Sequence, residues 1–289
     1  MKVACVTGGA GSFGRAVVSQ LFDLGATVRV LDNNEYSLYR LREKFHDKYG
    51  AKETEKRLRL FPGDICKKDR CQSAVEGVDT VIHAAALKHV WLGEADPFSF
   101  TDVNIDGTKN MVRATLDEKT VRTFMFVSTD KAVSPTNIYG QTKRMGEGLV
   151  LNANHIKGDR PTAFSVYRCG NFYGSSGSVI EKWTSQLEDE APLTLVRGDF
   201  RRFFIGIYDA ARLCLEACRL AEGGDLFVPR MKEYGMEELA TLMSGNIQWI
   251  EPGPSEKLRE DLMTPEEQAR ALEFTEMWVV KEQKVMDHV

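Results

Sequence analysis

The stretch Val6–Gly14, VTGGAGSFG, lies between a β-rich run at Lys2 to Val6 and an amphipathic segment from about Arg15 to Phe22. Gly8, Gly11 and Gly14 remove side chains where a strand hands over to a helix, and Ser12 and Phe13 complete the turn. Such a turn lets backbone N–H groups approach a dinucleotide pyrophosphate, whose negative charge the helix N-terminus favours. Glycines also serve plain tight turns, so the weight comes from position: strand before, helix after, and Asp32 closing the next strand in VRVLDNNEY. A carboxylate there accepts hydrogen bonds from both adenosine ribose hydroxyls and repels a 2′-phosphate, which favours NAD over NADP. Asn33, beside Asp32 at the cofactor, and Asn34 keep NADP as the lesser alternative. Read as structure alone, Asp32 would be a turn former at the end of a strand.

The same alternation continues outward. Further β-rich runs occur at Thr27 to Leu31, Leu58 to Phe61, Thr80 to Ala84, Thr123 to Val127 and Ala163 to Tyr167, separated by longer amphipathic segments. Strands apolar on both faces with helices between them predict an α/β fold, a Rossmann-like doubly wound parallel sheet over residues 1–167. Residues 168–289 are less regular, with helical runs expected near Tyr208 to Glu222 and Pro265 to Phe274. They predict a smaller C-terminal substrate-binding lobe with segments that return to the first domain. At 289 residues and 43% hydrophobic content the chain can bury a sizeable core. A net charge of -4 argues against a general grip on nucleic acid. No apolar run reaches the length of a membrane span, and MKVACVTGG enters a strand without the features of a signal peptide, so a cytoplasmic protein without membrane insertion is expected. The six cysteines are scattered and carry no metal-ligand spacing, which predicts reduced packing residues and no metal site.

Three loops fall where a cofactor would run along the strand ends. In GDI, Asp64 can bond the adenine amino group and Ile65 cover the ring, although Asp64 could equally cap a helix. In HAAALKH, the small Ala84, Ala85 and Ala86 allow the cofactor backbone to pass, Lys88 points towards an anion, and His83 reads as a core or strand-end histidine. The third loop, Ser128–Lys143, is STDKAVSPTNIYGQTK. Tyr139 and Lys143 share a helical face, so the ammonium is expected to lower the phenol pKa and hold the nicotinamide ribose, with Thr129 orienting the reacting hydroxyl. That set suits hydride transfer from a sugar alcohol.

With TGGAGSFG, GDI, HAAALKHV, VNIDGT, STDKAVSPTNIYGQTK, RCGNFYGSSGSVI, RRFF, FVPRM and SEKLRE in this order, nearly the whole chain resembles an extended short-chain dehydrogenase/reductase. It is most similar to the UDP-N-acetylglucosamine 4,6-dehydratase group, which includes related inverting enzymes and epimerases. The resemblance implies oxidation at C4, loss of water, and return of hydride to C6, giving a UDP-4-keto-6-deoxy sugar. It gives Asp130 and Lys131 the extra proton transfers: Lys131, if neutral in a desolvated site, would take the C5 proton while a protonated Asp130 assists water loss, and order in sequence leaves open which of the two handles which proton. Without it the two would read as an exposed ion pair. It also implies that Asn171 and Arg202 contact the diphosphate or sugar, Ser178 and Val179 wall the nucleotide side, and Glu256 holds a ribose. Ser176, Gly253 and Ser255 depart from the family pattern. A nucleotide-sugar 4-epimerase and a dinucleotide-sensing protein are the alternatives. A homo-oligomer is expected through helices around Phe98 to Leu116 and Tyr139 to Asn154.

Overall fold

The computed structural model describes residues 1–253 and 255–282. In its first half, β1 (Val3–Thr7) feeds α1 (Ser12–Asp23), β2 (Thr27–Asp32) feeds α2 (Glu35–Tyr49) and α3 (Ala51–Arg57), and β3 (Leu58–Pro62) feeds α4 (Lys68–Val75). Beyond β4 (Thr80–His83) come two short helices, α5 (Val90–Ala95) and α6 (Pro97–Phe100), then a π-helical turn at Thr101–Gly107 and α7 (Thr108–Asp117). β5 (Thr123–Thr129), α8 (Ile138–Ile156) and β6 (Ala163–Cys169) complete this half.

The second half runs β7 (Asn171–Tyr173), α9 (Val179–Glu188), β8 (Leu193–Val196), β9 (Arg201–Gly206), α10 (Ile207–Leu220), β10 (Leu226–Pro229), β11 (Lys232–Gly235), α11 (Met236–Met243) and β12 (Ile247–Ile250). It ends in α12 (Pro265–Ala269), β13 (Ala271–Glu273) and β14 (Met277–Val280).

Among the described residues, nine strands form one sheet in the order β13-β14-β10-β6-β5-β4-β1-β2-β3. From β3 to β10 every pairing is parallel, and β14 and β13 add an antiparallel edge. The central strands are buried on both faces, completely so in β6 and β4, because helices cover both sides. α1 and α10 pack on one face through Val17, Leu21, Ala210 and Cys214, and α7 and α8 cover the other through Met111 and Val150. This is the doubly wound α/β architecture. Strand order reverses between β1 and β4, which opens the crevice at the carboxyl ends where such folds bind ligands.

Two small sheets, β11-β9-β7 and β12-β8, build the rest of the second half. Their own core gathers Trp183, Leu193, Phe200, Phe204 and Met236. The helical run expected from Pro265 to Phe274 is corrected: only Pro265–Ala269 is helical, capped by a reciprocal Thr264–Glu267 box. Ala271 to Glu273 instead pair with β14, because the sheet edge supplies backbone partners that one more helical turn would leave unused.

Candidate active site

The glycine loop closes on itself. A Cβ on Gly14 would stand 2.1 Å from the Gly8 carbonyl oxygen, and one on Gly8 would stand 2.8 Å from the Ala85 backbone. Glycine is therefore what lets α1 begin against β1 and lets the Ala84–Ala86 loop lie alongside. Asp32 is held by two backbone donors, Ala10 N–H at 3.0 Å and Asn34 N–H at 3.0 Å, so its carboxylate stands fixed at the end of β2. Gly11, Ser12, Phe13, Asn33, Asp64 and Ile65 line the same cavity of about 400 Å³, with Ala84, Ala85 and Ala86 on the facing wall. Asp64 also accepts the Cys66 N–H at 2.8 Å, and Phe13 stacks on Phe172 at 5.1 Å, so both residues brace loops as well as line the crevice. An anion-ready helix start, a rim carboxylate and a glycine and alanine floor fit a nicotinamide dinucleotide.

The Ala84–Lys88 loop is braced from below. Asn104, inside the π-helical turn, accepts the Leu87 N–H at 2.8 Å and donates to the Leu87 carbonyl at 2.9 Å and to Thr142 at 3.0 Å. Lys88 donates to the Ser176 carbonyl at 2.6 Å, and Ser12 accepts the Ser176 N–H at 2.9 Å. The serine that departs from the family pattern thus ties the glycine loop to the loop before α9. His83 is buried with Thr7 at 2.6 Å on Nδ1 and Thr108 at 3.0 Å on Nε2. Burial, helped by the Lys143 charge, pushes it down to about 3, so it is a neutral core histidine.

β5 ends at Thr129, and a short 3₁₀ turn, Asp130–Ala132, leads towards α8. Asn137 caps that helix by accepting the Gly140 N–H at 2.8 Å. A Cβ at Gly140 would meet the Lys131 carbonyl oxygen at 2.2 Å, so glycine permits the first turn of α8 to lie against the Asp130–Lys131 turn. A second cavity of about 370 Å³ results, with Thr129, Asp130, Lys131 and Tyr139 on one wall. Thr129 and Tyr139 line both cavities, so the two chambers meet there.

Two electrostatic expectations are corrected. Lys143 donates to the Val127 carbonyl at 2.7 Å and lies 3.9 Å from the Phe126 ring centre. Burial pushes its ammonium down to about 7, against the opposing Glu147 charge. Burial holds the Tyr139 phenol above its ordinary value, and the cation that pulls it back is Lys131, aided by a hydrogen bond with Thr129. Lys131 itself is not neutral. Burial would lower its pKa, but the Asp130 and Glu260 charges outweigh that and hold it protonated. Its Nζ lies 3.1 Å from Asp130 Oδ1, which also accepts from Thr129 at 2.9 Å.

The far wall of the second chamber comes from the smaller lobe. Asn171 donates to the Phe203 carbonyl at 3.0 Å, Ser178 caps α9 through the Glu181 N–H at 3.2 Å, and Val179 stands beside it. Arg202 donates to the Leu258 carbonyl at 3.0 Å and faces the same space as Glu256. All the site residues expected from the sequence therefore line at least one of the two chambers. Sequence reasoning missed Lys257 and Glu260 in that wall. It also missed the buried Arg168, whose guanidinium bonds Glu147 at 2.8 and 2.9 Å and Glu267 at 2.6 and 3.0 Å beneath the α8 residues. A lone arginine directly after the Ala163 to Tyr167 β-rich run was the available signal, since burial of that charge requires partners.

Comparison with known proteins finds relatives over nearly the whole chain. The chain is 40% identical over 293 residues to an uncharacterized membrane protein of Methanocaldococcus jannaschii, covering 96% of this chain and 85% of the relative. No helix among the described residues is long and apolar enough to cross a membrane. It is 32% identical over 286 residues to the UDP-N-acetylglucosamine 4,6-dehydratase (inverting) of a Campylobacter jejuni strain, covering 96% and 82%. The X-ray structure of Pen from Bacillus thuringiensis superposes with a TM-score of 0.91 at 34% identity, covering 97% of this chain and 89% of that one. Proteins named as dehydratases and as epimerases both occur among the relatives. The sequence profile of polysaccharide biosynthesis proteins matches residues 4–282. The chain belongs to that polysaccharide biosynthesis protein family, a group of extended short-chain dehydrogenase/reductases.

Proposed function

We propose that the protein is an NAD-dependent nucleotide-sugar 4,6-dehydratase, a lyase whose substrate is UDP-N-acetylglucosamine. The observation that carries the reading is the Asp130–Lys131 pair. A 4-epimerase needs only a base at the C4 hydroxyl, whereas here a carboxylate and an ammonium 3.1 Å apart share the chamber wall with Tyr139.

A nicotinamide dinucleotide held by the glycine loop and Asp32 supplies a reversible hydride acceptor and, in its oxidised form, a positive charge. Tyr139, bonded to Thr129, takes the C4 hydroxyl proton, and Lys143, in the lining of the dinucleotide chamber, holds the nicotinamide ribose. Lys131 must give up a proton before it can act as a base, and the acceptor in reach is Asp130. That transfer turns an ammonium and a carboxylate into an amine and a carboxylic acid. The amine takes the C5 proton while the acid protonates the departing C6 hydroxyl. The C5–H and C6–O bonds break, a C5–C6 double bond forms, water leaves, and the original ion pair is restored. Lys88, Asn171, Ser178, Val179, Arg202 and Glu256 hold the nucleotide diphosphate and sugar, with the Arg202 guanidinium suited to paired phosphate oxygens.

Incubation with UDP-N-acetylglucosamine and NAD tests the reading by mass. Loss of one water is expected. Unchanged mass with inversion at C4 would instead identify a 4-epimerase. Inertness towards UDP and dTDP sugars would favour a dinucleotide sensor. Titration with both dinucleotides should show the preference for NAD that Asp32 implies.

A further inference from the structure

Glu260 is 3% exposed and lines the chamber that holds Asp130, Lys131, Tyr139 and Arg202. Its Oε1 stands 3.9 Å from Lys131 Nζ, and its Oε2 stands 3.4 Å from Lys257 Nζ with no hydrogen-bond partner among the described residues. A buried carboxylate remains charged only when cations face it. Lys257 reaches back to donate to the Val133 carbonyl at 2.7 Å, and Thr136 donates to the Ser255 carbonyl at 3.0 Å. On the other side, Arg201 N–H and Arg202 both donate to the Leu258 carbonyl, at 2.8 and 3.0 Å. The segment carrying Glu260 is therefore anchored both to the turn after β5 and to β9.

We propose that Glu260 is a positioning residue for Lys131: from the smaller lobe it supplies a second carboxylate that holds the ammonium in the chamber wall and sets how readily Lys131 releases its proton. The proposal rests on the reading of Lys131 as the group that handles the C5 proton. The charged and titratable groups facing Lys131 are Asp130, Tyr139, Arg202 and Glu260, with Lys257 behind Glu260. Asp130 and Glu260 favour the protonated amine, and Arg202 opposes them. Release of the Lys131 proton to Asp130 discharges that pair, so the Glu260 charge is what the amine form then has to overcome. Because Glu260 and Asp130 come from different parts of the fold, the charge state of the base depends on how the smaller lobe meets the sheet.

The test reads the amine directly and needs no substrate. The full-length protein is treated with acetic anhydride at pH 9, and acetylation of Lys131 is followed by peptide mass spectrometry against the exposed Lys119 as internal reference. Each pKa unit changes the amine fraction about tenfold, and an adjacent opposite charge is worth ~1–3 units, so Glu260→Gln should raise Lys131 labelling about tenfold or more. Lys257→Met should lower it below wild type, because Glu260 then acts on Lys131 unneutralised. Loosened packing would raise labelling in both variants, and that outcome, like unchanged labelling in Glu260→Gln, would overturn the proposal. Lys131→Met, assayed for water loss from UDP-N-acetylglucosamine, separates the two readings. If that variant still eliminates water, the role of Lys131 fails whatever the labelling shows. If it does not, the labelling alone judges Glu260.

Discussion

Replacing Glu267 by glutamine removes one negative charge from a site where every donor of a fully buried arginine is already placed. Arg168 directs Nε and one Nη2 hydrogen to Glu147, the other Nη2 hydrogen and one Nη1 hydrogen to Glu267, and its last Nη1 hydrogen to the Leu262 carbonyl. With Arg144 at 3.0 Å from Glu147 and 3.5 Å from Glu267, two guanidiniums face two carboxylates. Glutamine can accept one Arg168 hydrogen, but its amide N–H groups then point at guanidinium donors, leaving a buried positive charge undercompensated. Removing one partner of such a pair costs about 3–5 kcal/mol, and a glutamine that keeps one bond should fall near the lower end, about 3 kcal/mol. At ~2–4 °C per kcal/mol for a chain of this size, Tm should fall by roughly 6–12 °C.

The acid limb gives a second reading of the same change. Burial would raise both glutamates, but Arg168 outweighs it and holds Glu147 and Glu267 below their ordinary values. The unfolded chain therefore binds more protons than the native one just below the unfolded glutamate value of about 4.3. This stabilisation is complete above that pH and is lost as pH falls through the folded values. Glu267→Gln removes one of the two groups, so stability should fall less steeply with acid. Tm measured by calorimetry from pH 7 to pH 3 reads both effects. A loss under about 2 °C at pH 7, or an acid slope unchanged from wild type, would refute the reasoning.

Gly14→Ala must displace the Gly8 carbonyl that its new methyl would meet at 2.1 Å. The expected result is a stability loss of about 1–3 kcal/mol and a drop in dinucleotide affinity of at least about tenfold, read by thermal melts and fluorescence titration. Tyr139→Phe should leave dinucleotide binding near wild type while lowering turnover by about 10²–10⁴-fold, the usual contribution of a positioned base, and retained turnover would remove Tyr139 from that role.

The glycine loop, Asp32 and the alternation of strands and helices were legible because each is local: apolar runs, missing side chains and a strand-ending carboxylate need no knowledge of distant residues. The Tyr139 and Lys143 spacing was legible too, but its electrostatics were not. Helical spacing places both on one face, yet Lys143 turns to the Val127 carbonyl, and the cation acting on the phenol comes from the preceding turn. Arg168 and Glu267 are separated by 99 positions, so the strand context signals that Arg168 needs partners but only the fold shows that Glu267 supplies one. Glu260 was hidden in the same way, inside a motif that the resemblance marked at Glu256 instead. Ala271 to Glu273 followed a helix-like pattern, but the open edge of β14 decided their conformation.

The central claim is that one sugar gives up hydride at C4 and receives it at C6 while Asp130 and Lys131 remove water between the two events. UDP-N-acetylglucosamine carrying deuterium at C4, incubated with the protein and unlabelled NAD, tests it by NMR. The account predicts deuterium in the new C6 methyl group of the dehydrated product. Deuterium remaining at C4, or appearing in the free dinucleotide and absent from the methyl, would contradict it.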